Sequence, residues 1–583
     1  MAQTISKERL ASLIANMKAK GLIKSESPEV RSEATSERGP VTDSSLKESN
    51  NVIETIESNP IDQWKYSIDK YGNRIELNDE QIEAVRLAES GQSLVLIGAA
   101  GSGKTTTTRQ IISALIASGR AGVMRDTKHK YLCDETPGIV SVAYTRRAVA
   151  NMQRSQSEDM KSNVVTIHKF LQYEPVYETV TDPETGNEKS IMRFQATRNA
   201  YNPIPACVKT IIIEEASMVS VELFQEILNA CPHNPQFIFL GDIQQLPPVF
   251  GSAILGFKML ELPTIELVQI YRQALESPII RLAHRILSGL PISSSEFAEW
   301  KVPDQLTLHP WKKKLDADLG CLTAAKFFTM AIDAGKYDPE NDMILCPFNK
   351  SFGTDELNKH IAQHLAKKRD AMVWEVIAGF NKYYYSIGDK VLVEKEDATI
   401  IDIFPNPEYT GVRAAAPSKT LDYWGAEQGT AHHVEEMSDE DIDAFLESMS
   451  TDEERVKQCS HTIKVQMADT GKILDIKTAS EVNAMLLGYC LTVHKSQGSE
   501  WRKVFLVLHQ SHATMIQREL MYTAVTRARE ELYVICEPNS FEKGITSQRI
   551  KGNTLKEKCE FFMGKVESGY LKEYKDRLLS KKA

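Results

Sequence analysis

At 583 residues the chain has room for three or four domains of about 100–200 residues each, and its 42% hydrophobic and 25% charged content suits sizeable cores. No apolar run approaches the ~20 residues that span a bilayer, MAQTISKERL lacks a signal-peptide core, and the nine cysteines form neither a CxxC pair nor a zinc-spaced cluster. Membrane-spanning, secreted and disulfide-framework classes are thereby set aside and an intracellular protein is expected; the net charge of −10 leaves a nucleic-acid partner open, because binding needs only a locally positive groove.

Residues 1–55 read as a polar leader. Ile5, Leu10, Leu13, Ile14 and Met17 recur at helical spacing before a stretch nearly free of large apolar residues. A frayed helix and a partner-binding helix both fit that pattern. From about residue 60, short apolar runs alternate with helical segments: SLVLIG (93–98), GIVSVAY (138–144), KTIIIE (209–214) and QFIFLG (236–241). Continuous runs of this kind suit strands buried on both faces of a parallel sheet. DMILCPF (342–348), GYCLTVH (488–494), KVFLVL (503–508) and ELYVICE (531–537) make a second set, so two α/β sheets are expected.

Two segments break the alternation. Residues 171–207 read as an inserted β-hairpin around TDPETGN, and residues 386–484 as antiparallel strands enclosing an acidic, solvated stretch at 435–455. TyrTyrTyr (383–385) reads as strand core. Beyond 541 the sequence is polar and helical in pattern.

GAAGSGKT (98–105) has P-loop spacing, after an apolar strand and before a helix. Its Gly98, Ala99, Ala100, Gly101, Ser102 and Gly103 would wrap phosphates with backbone amides. Lys104 would neutralise the β- and γ-phosphates of ATP, the Thr105 hydroxyl would hold Mg²⁺, and Thr106 continues the cradle at the helix start. The strand TIIIE ends in Glu214–Glu215, where one carboxylate can hold the metal's water shell and its neighbour can polarise the attacking water. In GDIQQLPPV (241–249), Gln245 can bond the γ-phosphate or that water, and the prolines, Pro248 among them, stiffen the exit.

Together with LVQIYRQ (267–273), TVHKSQGSEW (492–501) and YTAVTRAR (522–529), these motifs occur in the order of superfamily 1 helicases. Over about residues 75–540 the chain resembles the 1B branch, the RecD and Dda-type enzymes, more than the UvrD branch. The resemblance implies two RecA-like domains in tandem, 56–170 with 208–275 and 276–385 with 485–540. It also implies that the hairpin is a pin and that 386–484 is an SH3-like subdomain. It assigns Gln81 to the adenine edge, Tyr271 to base stacking, Arg272 and Arg527 to arginine fingers, and Glu500 to the ribose or the closing loop. Thr145, Arg146, Thr166 and His168 would hold the DNA strand on the first domain and His494 and Lys495 on the second, while Phe194 and Pro248 would also meet DNA. Hydroxyls and cations of this kind grip phosphates without reading sequence. One departure is that Glu214 stands where the family carries Asp.

The implied activity is ATP-dependent unwinding of DNA by 5′→3′ translocation on single strands, with single-stranded DNA and duplex junctions as partners. Single-strand-binding, replication or recombination proteins could meet the tails, and the expected location is cytoplasmic or nucleoid-associated. The alternative is a DNA-dependent ATPase that loads or remodels without unwinding.

Overall fold

Four of the apolar runs fold as strands with almost no wet side: Leu94–Gly98, Gly138–Ala143, Val208–Glu214 and Gln236–Gly241. Such strands need cover on both faces. Leu94 and Leu96 turn to one face and pack with Ala84, Ile111 and Leu115; Val95 and Ile97 turn to the other, with Phe224, Phe239 and Phe257. In this computed structural model the described residues are 64–68, 74–120, 125–127, 130–132, 138–156, 161, 163–181, 188–248, 251–270, 276–293, 296, 300–310, 315–350, 352–379, 381–393, 396–409, 416–418, 458–468 and 471–569, with side chains of 175–194 excluded. The leader 1–55, the hairpin tip 182–187, Tyr271 and Arg272, the acidic stretch 435–455 and residues 570–583 lie outside them.

The first sheet is all parallel, in the order Thr264–Leu267, Leu94–Gly98, Gln236–Gly241, Val208–Glu214, Gly138–Ala143, Val164–Thr166. Its two edge strands, of four and three residues, are too short for periodicity to reveal. A second parallel sheet runs Leu306–Pro310, Ala528–Cys536, Trp501–Leu508, Met343–Cys346, Cys490–Thr492. Parallel order brings the C-terminal strand ends to one edge of each sheet, the edge where α/β sheets carry their ligands.

Strands Tyr173–Thr181 and Glu188–Ala196 form an antiparallel hairpin in register from Tyr173↔Ala196 to Thr181↔Glu188. The larger insertion is an antiparallel sheet of seven strands from Val373 to Leu487, so it begins ahead of the expected boundary at 386. The tyrosine run lies within its edge strand Asn381–Ser386 because that strand pairs with Val373–Ala378 and with nothing in the parallel sheet. Asp389, wholly buried, fastens the insertion to its host. It accepts hydrogen bonds from Arg369 (2.5 Å), the Ser386 amide (2.8 Å) and the Tyr489 hydroxyl (3.2 Å). An unpaired carboxylate there would be costly, so the three donors together fix this corner.

The helical sequence after 541 is not a free appendage. Helix Pro538–Thr546 packs in the second unit, where Phe541 and Ile545 join the core, and helix Leu555–Glu567 returns to the first unit. Phe562 fills the notch left by Gly256 and meets Phe257 edge-on at 5.3 Å between ring centroids; any Cβ at Gly256 would collide with it.

Candidate nucleotide cleft and nucleic-acid track

The loop between Leu94–Gly98 and helix Lys104–Ala117 takes the shape its glycines permit. Gly101 and Gly103 have φ of 82° and 87°, where side chains with a Cβ are strained, and a Cβ on Gly98 would strike the Ser102 hydroxyl. Lys104 bends back so that its ammonium donates to Gly98 O (2.5 Å) and Ala99 O (3.1 Å). Thr105 is exposed at the helix start and Thr106 half-buried beside it. Across from the loop, Glu214 ends its strand and Glu215 takes a left-handed turn at φ 50°. Burial, then the Glu215 charge, push the Glu214 carboxyl up to about 7, while Lys104 and the Thr108 hydroxyl pull the other way.

Gln245 follows the strand Gln236–Gly241 and is buried with its Oε1 unpartnered among the described residues; Ser102 Oγ and Ser217 Oγ are in the same condition. Buried oxygens without partners are rare, and here three lie on the loops at the C-terminal edge of one sheet. Gln81 is less open than its assigned role implies. Its Oε1 accepts from the Asn78 amide (3.0 Å) while its own amide donates to Asn78 Oδ1 (2.9 Å), a capping box at the start of helix Asp79–Glu89, and its Nε2 donates to Thr107 Oγ1 (3.1 Å) on the P-loop helix.

The second unit closes on this edge through side chains the sequence did not single out. Tyr522 Oη accepts from the Ala100 amide at 2.7 Å, Thr523 Oγ1 accepts from the Leu246 amide at 2.9 Å, and Gln497 Nε2 donates to Leu246 O at 2.7 Å. Leu246 itself is counted in the second unit's core, so the Gln245 loop is inserted into its neighbour. Arg527 stays within its own unit: its guanidinium donates to Thr523 O, Ser499 O and Thr526 Oγ1 at 3.0–3.1 Å, and the residue is buried. Glu500, exposed, pairs with Arg529 at 2.9 Å.

Sequence comparison covers both sides of this cleft. A family model described as an AAA domain matches residues 81–251, and one described as a UvrD-like helicase C-terminal domain matches 487–535. The ATP-dependent RecD2 DNA helicase of Deinococcus radiodurans is 26% identical over 480 residues, 82% of this chain and 52% of that protein. This chain thus spans about half the length of that relative. The RecBCD enzyme subunit RecD of Mycolicibacterium smegmatis is 22% identical, over 82% of this chain and 74% of its own. Over most of its length the chain is similar to RecD-type helicases. Among solved structures, Pif1 helicase from Candida albicans aligns with 84% of this chain and 99% of its own at 16% identity, with a TM-score of 0.41.

In this RecD-like chain the residues assigned to the DNA track fall into two groups. Thr145 and Thr166 are helix N-caps, accepting from the amides of Ala148 and Lys169 at 3.1 Å. His168 lies between the rings of Tyr144 and Tyr173, at 5.5 and 4.9 Å. Arg146 faces Glu396 of the antiparallel insertion at 3.0 Å. Its neighbour Arg147, passed over in the sequence, does more: it lies 2.6 Å from Asp397, donates to Ser499 Oγ (3.1 Å) and covers the Trp501 ring. One turn on, Asn151 donates to Gly498 O (3.2 Å), on the face that positions i and i+4 share.

On the second unit, His494 is held neutral-leaning by burial, and then by Arg549 nearby. Lys495 is exposed and helps line a cleft of about 280 Å³ with Tyr383, Asn483 and Thr354. Pro248 is half-buried at the last described position of its loop, and Phe194 pairs through its backbone with Pro175 across the hairpin.

Proposed function

We propose that this chain is an ATP-driven motor that translocates 5′→3′ on single-stranded DNA and separates duplex at the junction. The reading is carried by one observation: the P-loop and the Gln245 loop of the first parallel sheet are hydrogen-bonded to Tyr522, Thr523 and Gln497 of the second. Two such units, each bearing residues assigned to the strand, can grip in alternation as nucleotide comes and goes. The name of the Deinococcus relative, an ATP-dependent DNA helicase, and the motif order support the same reading.

The donor set supports a magnesium nucleotide as the ligand: turn amides, one ammonium, the Thr105 hydroxyl and two carboxylates. Thr105 and Glu214 would hold Mg²⁺, which when bound supplies charge neutralisation at the phosphates. Lys104 shares that charge. Glu215 accepts the proton of the attacking water and Gln245 orients it. Arg272 and Arg527 contribute only when the second unit seats, so closure and transition-state stabilisation coincide. Tyr271 stacks on the base, Gln81 reads the adenine edge, and Glu500 orients the closing loop. Thr145, Arg146, Thr166 and His168 on the first unit, His494 and Lys495 on the second, and Pro248 would hold the strand. The hairpin serves as the pin, with Phe194 against the junction, and the antiparallel insertion as an SH3-like cover. Contacts made to phosphates predict weak sequence preference and affinity that falls steeply with salt.

Displacement of strands from tailed duplexes tests this. Efficient unwinding from a 5′ single-stranded tail, dependent on ATP, is expected. Displacement from a 3′ tail alone would overturn the direction, and stimulated ATP hydrolysis without displacement from any tail would make the chain a loading or remodelling ATPase.

A further inference from the structure

Tyr522 is wholly buried on helix Arg518–Val525 of the second unit, and its hydroxyl is used twice. It accepts from the Ala100 amide of the P-loop (2.7 Å) and donates to Asp242 Oδ2 (2.6 Å). Asp242 opens the Gln245 loop: its Oδ1 accepts from the Gln244 amide (2.9 Å) and its carbonyl from the Gln245 amide (3.1 Å). On the other side of Gln245, Leu246 is held by Thr523 and Gln497. Gln245 therefore sits between two points that the second unit pins. Thr523 O also accepts from Arg527, so a single turn of chain meets the P-loop, the Gln245 loop and the assigned finger. Burial and the Asp242 carboxylate hold the Tyr522 phenol well above its usual range, which keeps it a donor. Arg and Lys cannot replace it, because the site needs one group that donates to a carboxylate and accepts from an amide.

We propose that Tyr522 is a positioning residue for hydrolysis, its hydroxyl locking the P-loop and the Gln245 loop into register when the second unit is seated. The inference rests on the cleft being an ATP site, and it concerns a residue that would touch neither nucleotide nor water. Its effect should fall on turnover and spare ground-state binding, since the geometry it sets is needed at the transition state.

The test uses the full chain and four variants: Tyr522→Phe, Asp242→Asn, their double, and Thr523→Val, which removes the second pin at constant volume. Single-strand-stimulated ATPase gives kcat and KM, and a fluorescent ADP gives binding. Tyr522→Phe is expected to lower kcat by roughly tenfold or more, with KM and ADP affinity within about threefold. Asp242→Asn should match it, the double should be no worse than either single, and Thr523→Val should show the same kcat-selective loss. A Tyr522→Phe variant with wild-type kcat, a loss expressed in ADP affinity, or losses that multiply in the double would each overturn the proposal. Thr523→Val decides in the same way should the Phe variant not fold. Absence of stimulated ATPase in the wild-type chain would instead overturn the functional reading beneath it.

Discussion

The two parallel-sheet units treat their buried polar groups differently. At the C-terminal strand edge of the first, Ser102, Ser217 and Gln245 keep buried oxygens without partners among the described residues, and the P-loop glycines hold a shape that only glycine holds cheaply. In the second, Arg527 has three donors matched within its own unit and the Asp389 carboxylate meets three donors, while His284 Nε2 and Glu537 Oε1 are unmatched among the described residues. A region whose polar atoms are already matched is built to hold its shape; one with unmatched atoms around a glycine turn is built to receive a ligand. On the proposed reading the first unit carries the chemistry and the second the leverage. Substitutions should therefore hurt in different ways on the two sides.

The largest effect is expected from Lys104→Ala, which removes the ammonium lying over the P-loop carbonyls. Single-strand-stimulated ATP hydrolysis should fall to background, and a rate comparable to wild type would remove the phosphate assignment. Glu215→Gln should come next, cutting kcat on the order of a hundredfold or more while nucleotide binding persists. Glu214→Asp, which restores the residue usual in the family, should stay close to wild type. If Glu214→Gln does too, that carboxylate does not hold the metal shell.

An intermediate effect is expected from the hairpin. Deleting its tip at 182–187 or replacing Phe194 with Ala should lower strand displacement by roughly tenfold and leave stimulated ATPase nearly intact, because binding outside the cleft does not enter the chemical step. Equal loss of both activities would assign the hairpin to support of the fold.

The smallest effect concerns the matched interior of the second unit. His512 is buried, its ring nitrogen 2.6 Å from Phe352 O, and burial pushes its pKa down to about 4. The unfolded chain takes up a proton near 6.5 that the folded chain refuses until about 4, so stability is present above 6.5 and is lost as pH falls through that window. The thermal midpoint should drop by a few degrees across it. In His512→Gln that part of the pH dependence should vanish; an unchanged slope would show that the histidine is not held neutral.

How much of this could be read from the sequence depends on which interactions are local. The P-loop, Glu214–Glu215 and Gln245 could be found because each chemical task restricts residue type over a few consecutive positions, at the end of an apolar strand. Eight strands announced themselves as apolar runs for the same reason. What escaped was pairing over distance. Arg146 was assigned to DNA because its motif is; that an acidic pair about 250 residues later would face it and Arg147 depends on how a β insertion is hung from the second sheet. Tyr522 lay inside a quoted motif with no role, since the partners that give it one, Ala100 and Asp242, come from elsewhere in the chain. The early start of the antiparallel sheet at Val373 was hidden because a tyrosine-rich strand has the same composition in either kind of sheet.

The returning C-terminal helix has a consequence for the order in which this protein can be made. Ile550, Cys559 and Phe562 belong to the same core cluster as Val95, Phe224 and Phe257, and Gly256 and Phe562 meet across roughly 300 residues of intervening chain. Helix Ile254–Glu261 leaves the ribosome well before helix Leu555–Glu567, so the apolar notch at its Gly256 stays open until residues near 562 emerge. During synthesis that notch must wait, apolar and open, while the second sheet and its insertion are produced. At ribosomal speeds of about 5–20 residues per second the exposure lasts some tens of seconds. Helix Ile254–Glu261 is therefore made long before its cover, and its notch is a place where a nascent chain would need a chaperone's protection.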